Sequence, residues 1–173
     1  HPMGRVIRAA SVWAIAVSGA VAAGGIALTG VLAPLTVPSD WVIAQCDVGQ
    51  GDAVLVRSGG EIMVIDTGPD PQAFASCLTA LGVEHVDVLV LTHFDLDHVG
   101  GVNVLSGRVE HVVHGPFGED VDERLIASLV AAGATAQEVR AGATGKLGLA
   151  QWRVLWPNAG AGGFAPGNDM SLV

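Results

Sequence analysis

The chain has 173 residues, of which 50% are hydrophobic and 14% are charged, and its net charge is −9. This composition excludes an intrinsically disordered chain, which would be poor in apolar residues and rich in charge. The acidic balance excludes a basic nucleic-acid-binding arm, and the mean hydropathy of +0.51 is high for a purely soluble domain.

The apolar residues are concentrated near the amino-terminal end. Residues 9–39 carry no charge. The stretch 9–35 is long enough to span a bilayer, which takes about 20 apolar residues, so we predict a transmembrane helix there. Arg5 and Arg8 precede it, and basic residues favour the cytoplasmic side, so residues 1–8 are predicted to be a cytoplasmic flank. A cleaved signal peptide and a buried soluble helix are the alternatives.

The remainder of the chain is acidic. After a short linker at 36–40, which contains Pro38, the composition is that of an ordinary globular domain. Residues 40–173 carry six basic and 17 acidic side chains, a net charge of −11. We predict one domain over 41–173, on the extracytoplasmic side of the cell membrane.

Strands and helices alternate along this domain after an antiparallel start. Short apolar or β-rich runs predict strands at 41–46, 53–57, 61–65, 86–91, 110–114 and 151–156. Apolar spacing and helix-end signals predict helices at 71–81 and 122–132. Residues 158–167 are expected to form a flexible loop, and residues 171–173 to begin another strand. The alternation predicts an α/β fold class.

A cluster of metal-ligand residues follows the predicted central strand. The sequence there is T-H-F-D-L-D-H, and four ligand-type residues fall within six positions: His93, Asp95, Asp97 and His98. Imidazole nitrogens and carboxylate oxygens bind divalent first-row metal ions, and α/β proteins place their sites at the carboxyl ends of strands. A polar loop with chance histidines is the alternative, and the density of ligands argues against it.

Two other features leave alternatives open. In the turn at 47–52, Gly49 and Gly51 either shape a hairpin only, or bring polar side chains to the rim of a site. Cys46 and Cys77 either form a disulfide, as two cysteines outside the cytoplasm can, or remain two buried thiols.

Three motifs stand in order along the chain: D-V-G-Q-G-D-A at 47–53, H-x-D-x-D-H at 93–98 and N-D-x-S-L-V at 168–173. Together they resemble the C-terminal metallo-β-lactamase-fold domain of ComEC-type competence proteins, which are DNA-uptake channels of naturally transformable bacteria. Asp66, followed by Thr67 and Gly68, resembles the first acidic motif of the wider superfamily. The resemblance implies a metallo-β-lactamase-like αββα sandwich, incomplete at its C-terminal end, preceded by the last transmembrane helix of a channel region.

The resemblance also implies a site with two divalent metal ions. His93 and Asp95 would bind one ion, and Asp97 and His98 the other. Because Asp95 is a harder ligand than the histidine of other superfamily members, we expect Mn²⁺ or Zn²⁺, with manganese slightly favoured. The remaining implied roles are catalytic for Asp97 and Asp66, and substrate-binding for Gln50, Asp52, Asn168 and Ser171.

Two superfamily features have no counterpart in the sequence. A downstream metal-binding histidine is expected, but His111 and His114 follow the motif too closely and are predicted to be structural. A later glycine–aspartate motif would lie beyond residue 173. We therefore expect this stretch by itself to bind metal poorly.

Three functions are compatible with the sequence. The first is a metal-dependent hydrolase, a nuclease that degrades the DNA strand that is not imported, with single- or double-stranded DNA as substrate. Its partners would be the membrane, the rest of the channel protein and the competence machinery. The alternatives are a general metallo-hydrolase of small esters or phosphoesters and a non-catalytic channel-associated module. The net charge of −11 opposes simple electrostatic capture of DNA.

Overall fold

The computed structural model describes residues 37–161 and 163–173. The predicted cytoplasmic flank (1–8), the predicted transmembrane helix (9–35) and the first residue of the predicted linker lie outside the described residues. Within the described part, no helix has the length and hydropathy needed to cross a membrane.

The described residues form a six-stranded sheet, a separate two-stranded hairpin and three α-helices. The sheet contains, in spatial as well as chain order, β1 (Ile43–Gln45), β2 (Val54–Ser58), β3 (Glu61–Ile65), β4 (Val86–Leu91), β5 (Val109–His114) and β6 (Thr135–Glu138). The hairpin pairs β7 (Thr144–Leu147) with β8 (Ala150–Arg153). The helices are α1 (Pro71–Leu81), α2 (Leu96–Val99) and α3 (Asp120–Ala131), and short 3-10 helices span Val102–Leu105 and Asn168–Met170.

The strand directions change at β3. Strands β1, β2 and β3 are antiparallel neighbours, whereas β3, β4, β5 and β6 run parallel. Parallel neighbours need crossover connections, and α1 and α3 lie in two of them. The arrangement is a mixed α/β fold, as predicted, with the carboxyl ends of β3, β4 and β5 at one edge of the sheet.

Local signals explain where the best-predicted elements begin and end. Helix α1 begins at Pro71, because the Asp70 side chain accepts hydrogen bonds from the next free backbone N–H groups, and it ends at Gly82, which adopts a left-handed conformation with φ of 67°. The predicted bounds of α1, β3 and β4 are confirmed. Helix α3 begins two residues earlier than predicted, because the Asp122 carboxylate caps the backbone N–H groups of Gly118 and Glu119.

Alternate residues of the strands enter two buried layers. One layer joins the sheet to the β7–β8 hairpin and the end of the chain, and contains Met63, Val88, Val113, Val139, Leu147, Val154 and Leu172. The residues between them on the strands, such as Val64 and Leu89, are also buried and face the opposite side of the sheet. Both faces of the central strands are therefore covered, which explains their nearly continuous apolar sequence.

Several predicted elements are wrong in extent. The strand predicted at 41–46 covers only Ile43–Gln45, and the strand predicted at 151–156 ends at Arg153. Beyond Arg153, the chain pairs with its own terminal residues, since Leu155 N–H donates to Val173 O at 2.6 Å. Strand β6 was not predicted because all four of its residues are exposed, so it has no apolar alternation.

A disulfide joins Cys46 to Cys77. This decides between the two alternatives left open by the sequence. The bond connects the residue that follows β1 to helix α1, at the start of the turn 47–52. That turn is therefore fixed to the helix at one end.

Candidate metal centre

The predicted ligands gather at the carboxyl edge of the parallel strands. His93 follows β4 after one residue, and Asp97 and His98 lie on α2. Asp66 follows β3, and its backbone N–H donates to Val90 O at 2.9 Å, which continues the parallel pairing beyond the strand. This edge is where α/β proteins place their sites.

The two histidines form two separate pairs with the two aspartates. His93 Nε2 lies 3.5 Å from Asp95 Oδ2, and His98 Nε2 lies 3.8 Å from Asp97 Oδ2. The imidazole centroids are 4.0 Å apart. These are the same two pairs that the resemblance implies for two ions.

Asp66 lies behind the histidines rather than in the open part of the site. Its side chain is 3% exposed. Thr92 donates to it twice, from the backbone N–H to Oδ1 at 2.8 Å and from the hydroxyl to Oδ2 at 2.6 Å, while His98 Nδ1 lies 2.8 Å from Oδ2. Asp66 adopts φ of 58°, a left-handed conformation that a non-glycine residue adopts rarely.

These contacts determine which imidazole nitrogen carries hydrogen. The Asp66 carboxylate can only accept, so His98 must donate from Nδ1. The Thr92 hydroxyl gives its hydrogen to Asp66, so its oxygen accepts from His93 Nδ1, at 3.1 Å. Both Nε2 atoms then present a lone pair towards the aspartates. Asp66 therefore orients His98 directly and His93 through Thr92.

Burial also shifts the ionisation of the site. Desolvation raises the pKa of Asp66, and the hydrogen bonds from Thr92 and His98 oppose that rise. Desolvation lowers the pKa of His93, and the neighbouring His98 lowers it further. His93 is therefore favoured as neutral imidazole, the form that binds metal.

The residues fit a divalent metal ion. His93 Nε2 is buried and has no hydrogen-bond partner within the described part of the chain, an arrangement that native proteins rarely leave unexplained. A metal ion would satisfy this lone pair together with the adjacent Asp95 carboxylate. Neutral imidazole with carboxylate is a common donor set for divalent first-row metals.

A different group of ligand-type residues lies at the opposite edge of the sheet. Within the ranges that the structure describes, His85, Asp87 and Glu110 form the only group of three whose ligand atoms all lie within 4.8 Å of one another. His85 and Glu110 are exposed, and Asp87 Oδ2 accepts a hydrogen bond from Ile62 N–H at 2.7 Å. This group is a second candidate for a metal ion, remote from the predicted ligands.

The four predicted substrate-binding residues are in two different environments. Gln50 and Asp52 are exposed on the turn 47–52. In contrast, Asn168 Nδ2 donates to Asp95 Oδ2 at 3.0 Å, and Ser171 Oγ lies 3.3 Å from His93 Nδ1. The structure thus brings Asn168 and Ser171 into contact with predicted metal ligands.

Sequence reasoning missed one residue that shapes the site, Thr92, and left the role of a second, Gly51, open. Thr92 connects Asp66 to His93, and its only sequence signal is its place directly before the first histidine. Gly51 lies so close to α2 that an added Cβ would overlap the carbonyl oxygen of Asp97. Its φ of 115° also favours glycine. The turn 47–52 therefore packs against α2, the helix that carries Asp97 and His98. This contact supports the interpretation of the turn as the rim of the site.

An open cleft of about 440 Å³ adjoins the His93–Asp95 pair. Asp95 forms part of its wall, together with apolar groups that include Phe94, Leu96 and Pro166. His114, whose ring centroid lies 5.9 Å from that of Phe94, is buried, donates from Nδ1 to Gly115 O at 2.7 Å, and stacks on Phe117. The cleft could hold a substrate group beside the predicted ligands.

Comparisons with known proteins identify a family and two relatives to which this chain is similar. Residues 46–122 match the family model described as the metallo-beta-lactamase superfamily. ComE operon protein 3 of Bacillus subtilis (strain 168) is 29% identical over 146 residues, which cover 70% of this chain and 19% of that protein. Competence protein ComA of Neisseria gonorrhoeae is 40% identical over 77 residues, which cover 42% of this chain and 11% of that protein. The chain thus spans less than a fifth of either relative.

Solved structures show the same fold at low identity. MEM-A1, a subclass B3 metallo-beta-lactamase from a soil metagenome library, superposes with a TM-score of 0.50 at 20% identity, covering 66% of this chain and 49% of that one. A metallo-beta-lactamase mutant from Cronobacter sakazakii superposes with a TM-score of 0.51 at 16% identity, covering 66% and 50%. The chain is therefore similar to the metallo-beta-lactamase superfamily over residues 46–122 and homologous to the competence proteins ComE operon protein 3 and ComA, and its described residues share the fold of solved metallo-beta-lactamases.

Proposed function

We propose that this domain is a metal-dependent phosphodiesterase, a nuclease that degrades the DNA strand that is not imported during DNA uptake. The observation that carries the proposal is the buried Nε2 of His93, which has no hydrogen-bond partner among the described residues and lies beside the Asp95 carboxylate, in a chain homologous to two competence proteins. We also propose that residues 9–35 form a transmembrane helix that places the domain outside the cytoplasm, next to the channel and the competence machinery.

The chain's own residues have distinct roles in this proposal. His93 and Asp95 hold one divalent ion, and Asp97 and His98 hold the other. When bound, divalent ions would polarise the phosphoryl group of the substrate and lower the pKa of a bound water. Asp66 keeps the Nδ1 hydrogen of His98 in place, and through Thr92 that of His93, so that neither imidazole has to reorient during the reaction.

The metal is proposed to be Mn²⁺ or Zn²⁺. Each half of the site offers one imidazole and one carboxylate, and the carboxylate share makes the donor set harder than an all-histidine site. Manganese is therefore slightly favoured over zinc. Tight binding of zinc alone, with no response to manganese, would contradict this preference.

The charge of the domain restricts how DNA can bind. A net charge of −11 over residues 40–173 repels phosphates, so the bound ions must supply the local positive charge. The cleft beside Asp95 is lined by the acidic residues Glu119 and Asp122 as well as by Phe94 and Leu96, so it offers no positive charge to a phosphate.

The test measures hydrolysis by the full-length protein loaded with Mn²⁺ or Zn²⁺. Single-stranded DNA, double-stranded DNA and small carboxylic and phosphate esters are compared, with Asp97→Ala as the inactive variant and Glu123→Ala, an exposed acidic residue on α3, as the matched control. We expect metal-dependent cleavage of DNA that Asp97→Ala abolishes. Intact DNA at full metal occupancy would refute the nuclease proposal, and cleavage of esters alone would favour a small-molecule hydrolase.

A further inference from the structure

Asn168 and Ser171 contact predicted metal ligands rather than open space. We propose that they are positioning residues for one half of the metal centre, the His93–Asp95 pair, and do not act on the other half. This inference rests on the proposed metal centre. It replaces the substrate-binding role that the sequence predicts for both residues.

The segment that carries these two residues is held firmly next to the end of β4. Leu172 N–H donates to Thr92 O at 2.9 Å. Met170 and Leu172 are both 7% exposed and pack into the interior. The indole of Trp156 donates to Asp169 O at 3.0 Å. Side chains on this segment can therefore fix other groups in space.

Asn168 fixes the carboxylate of Asp95. A carboxylate can only accept, so the amide nitrogen of Asn168 donates to Oδ2, at 3.0 Å. The same oxygen lies 3.5 Å from His93 Nε2. The Asp95 side chain is 49% exposed, and without Asn168 it would sample other rotamers. The contact thus holds Oδ2 of Asp95 beside Nε2 of His93 before a metal ion binds. Less side-chain entropy is then lost when the ion binds.

Ser171 supports the tautomer of His93 that binds metal. Its oxygen lies 3.3 Å from Nδ1, and the Thr92 oxygen lies 3.1 Å from the same atom. Two hydroxyl oxygens thus surround the Nδ1 hydrogen and favour it over a hydrogen on Nε2. Removal of Ser171 leaves only one acceptor.

The other half of the centre depends on different elements. His98 is oriented by Asp66, and the backbone of Asp97 packs against Gly51 of the turn 47–52. The side chain of Asn168 hydrogen-bonds to Asp95, and that of Ser171 to His93. Loss of these two side chains should therefore weaken the binding of one ion and leave the binding of the other unchanged.

The test is a titration of the full-length protein with Mn²⁺. Calorimetry and electron paramagnetic resonance measure each binding step. Asn168→Ala and Ser171→Ala should each weaken one of two binding steps about 10- to 100-fold, the range found for outer partners of metal ligands, and leave the other step unchanged. Ser171→Thr keeps the hydroxyl and should restore binding. Asn158→Ala, at an exposed position of the preceding loop, is the matched control. Equal weakening of both steps, or of neither, would overturn the inference.

A second readout needs no metal. Imidazole ¹⁵N chemical shifts of the metal-free chain should report the Nδ1–H form of His93, and Ser171→Ala should move His93, but not His98, towards a tautomer mixture. An unchanged His93 signal would refute the role of Ser171 even if metal binds. A chain that binds no metal but shows the selective shift would refute the proposed function and leave the positioning of His93 standing.

Discussion

The Asp66→Asn variant should move the ring hydrogen of both His93 and His98 from Nδ1 to Nε2. The substitution replaces one carboxylate oxygen with NH₂. The amide oxygen will remain at the Oδ1 position, because the Thr92 backbone N–H, 2.8 Å away, must have an acceptor. The amide NH₂ then occupies the Oδ2 position and faces His98 Nδ1, which has to accept. The Thr92 hydroxyl loses its acceptor and turns its hydrogen towards His93 Nδ1, 3.1 Å away.

Both Nε2 atoms would then carry hydrogen and lose the lone pair that binds metal. Each disrupted histidine should reduce the affinity for its ion by about 10- to 100-fold, so the losses at the two ions together should amount to about 3–6 kcal/mol of binding free energy at 1.4 kcal/mol per factor of ten. The free energy of unfolding of the metal-free chain should change by only about 1 kcal/mol, because the amide keeps the shape of the carboxylate and removes a buried charge.

Three measurements on Asp66→Asn separate these effects: metal titration, imidazole ¹⁵N shifts and urea unfolding. Asp70→Asn is the matched control, since Asp70 also accepts a backbone hydrogen bond, from Gln72 N–H at 2.8 Å, but caps α1 and belongs to neither candidate metal group. Unchanged tautomers with wild-type metal affinity in Asp66→Asn would refute the proposed relay through Thr92.

Three other perturbations have expected outcomes. Gly51→Ala should lower the free energy of unfolding by about 2–4 kcal/mol, because the new Cβ overlaps the backbone of α2 and φ is 115°. Replacing Cys46 and Cys77 by Ser should lower it by about 3–4 kcal/mol, since the disulfide closes a loop with a separation of 31 residues. Burial lowers the pKa of His114 from its ordinary 6.5. Below about pH 6.5 the unfolded chain therefore binds a proton at His114 more readily than the folded chain does. The free energy of unfolding should fall as the pH drops below that value, by up to about 1.4 kcal/mol per pH unit.

Urea unfolding checks all three. Gly49→Ala is the control for Gly51→Ala, because Gly49 has φ of 82° but open space around it; equal losses in the two variants would show that the contact with α2 contributes nothing. Chemical reduction should reproduce the double cysteine variant, and a loss below 1 kcal/mol would contradict the loop-closure estimate. The difference in stability between the wild type and His114→Gln should depend on pH, and a constant difference would contradict the burial of neutral His114.

Much of the fold could be predicted because its signals are local. The apolar run of β4 and the Asp70, Pro71 and Gly82 signals of α1 are contained in short segments, and their predicted bounds are confirmed. Strand β6 and the first strand of the hairpin could not be predicted, because exposed or short edge strands have no apolar alternation. They form by pairing with a neighbour that is distant in sequence.

The sequence by itself determined which groups are the candidates for the chemistry. Six positions that contain two histidines and two aspartates, directly after a buried strand, predict a set of metal ligands from local sequence alone. Only the tertiary structure decided how those ligands are held: Asp66 reaches His98 over 32 positions, and Asn168 reaches Asp95 over 73. The reason is physical. Ligand identity is a property of single side chains, whereas the hydrogen bonds that fix a tautomer or a rotamer depend on the register of parallel strands and on packing between distant segments.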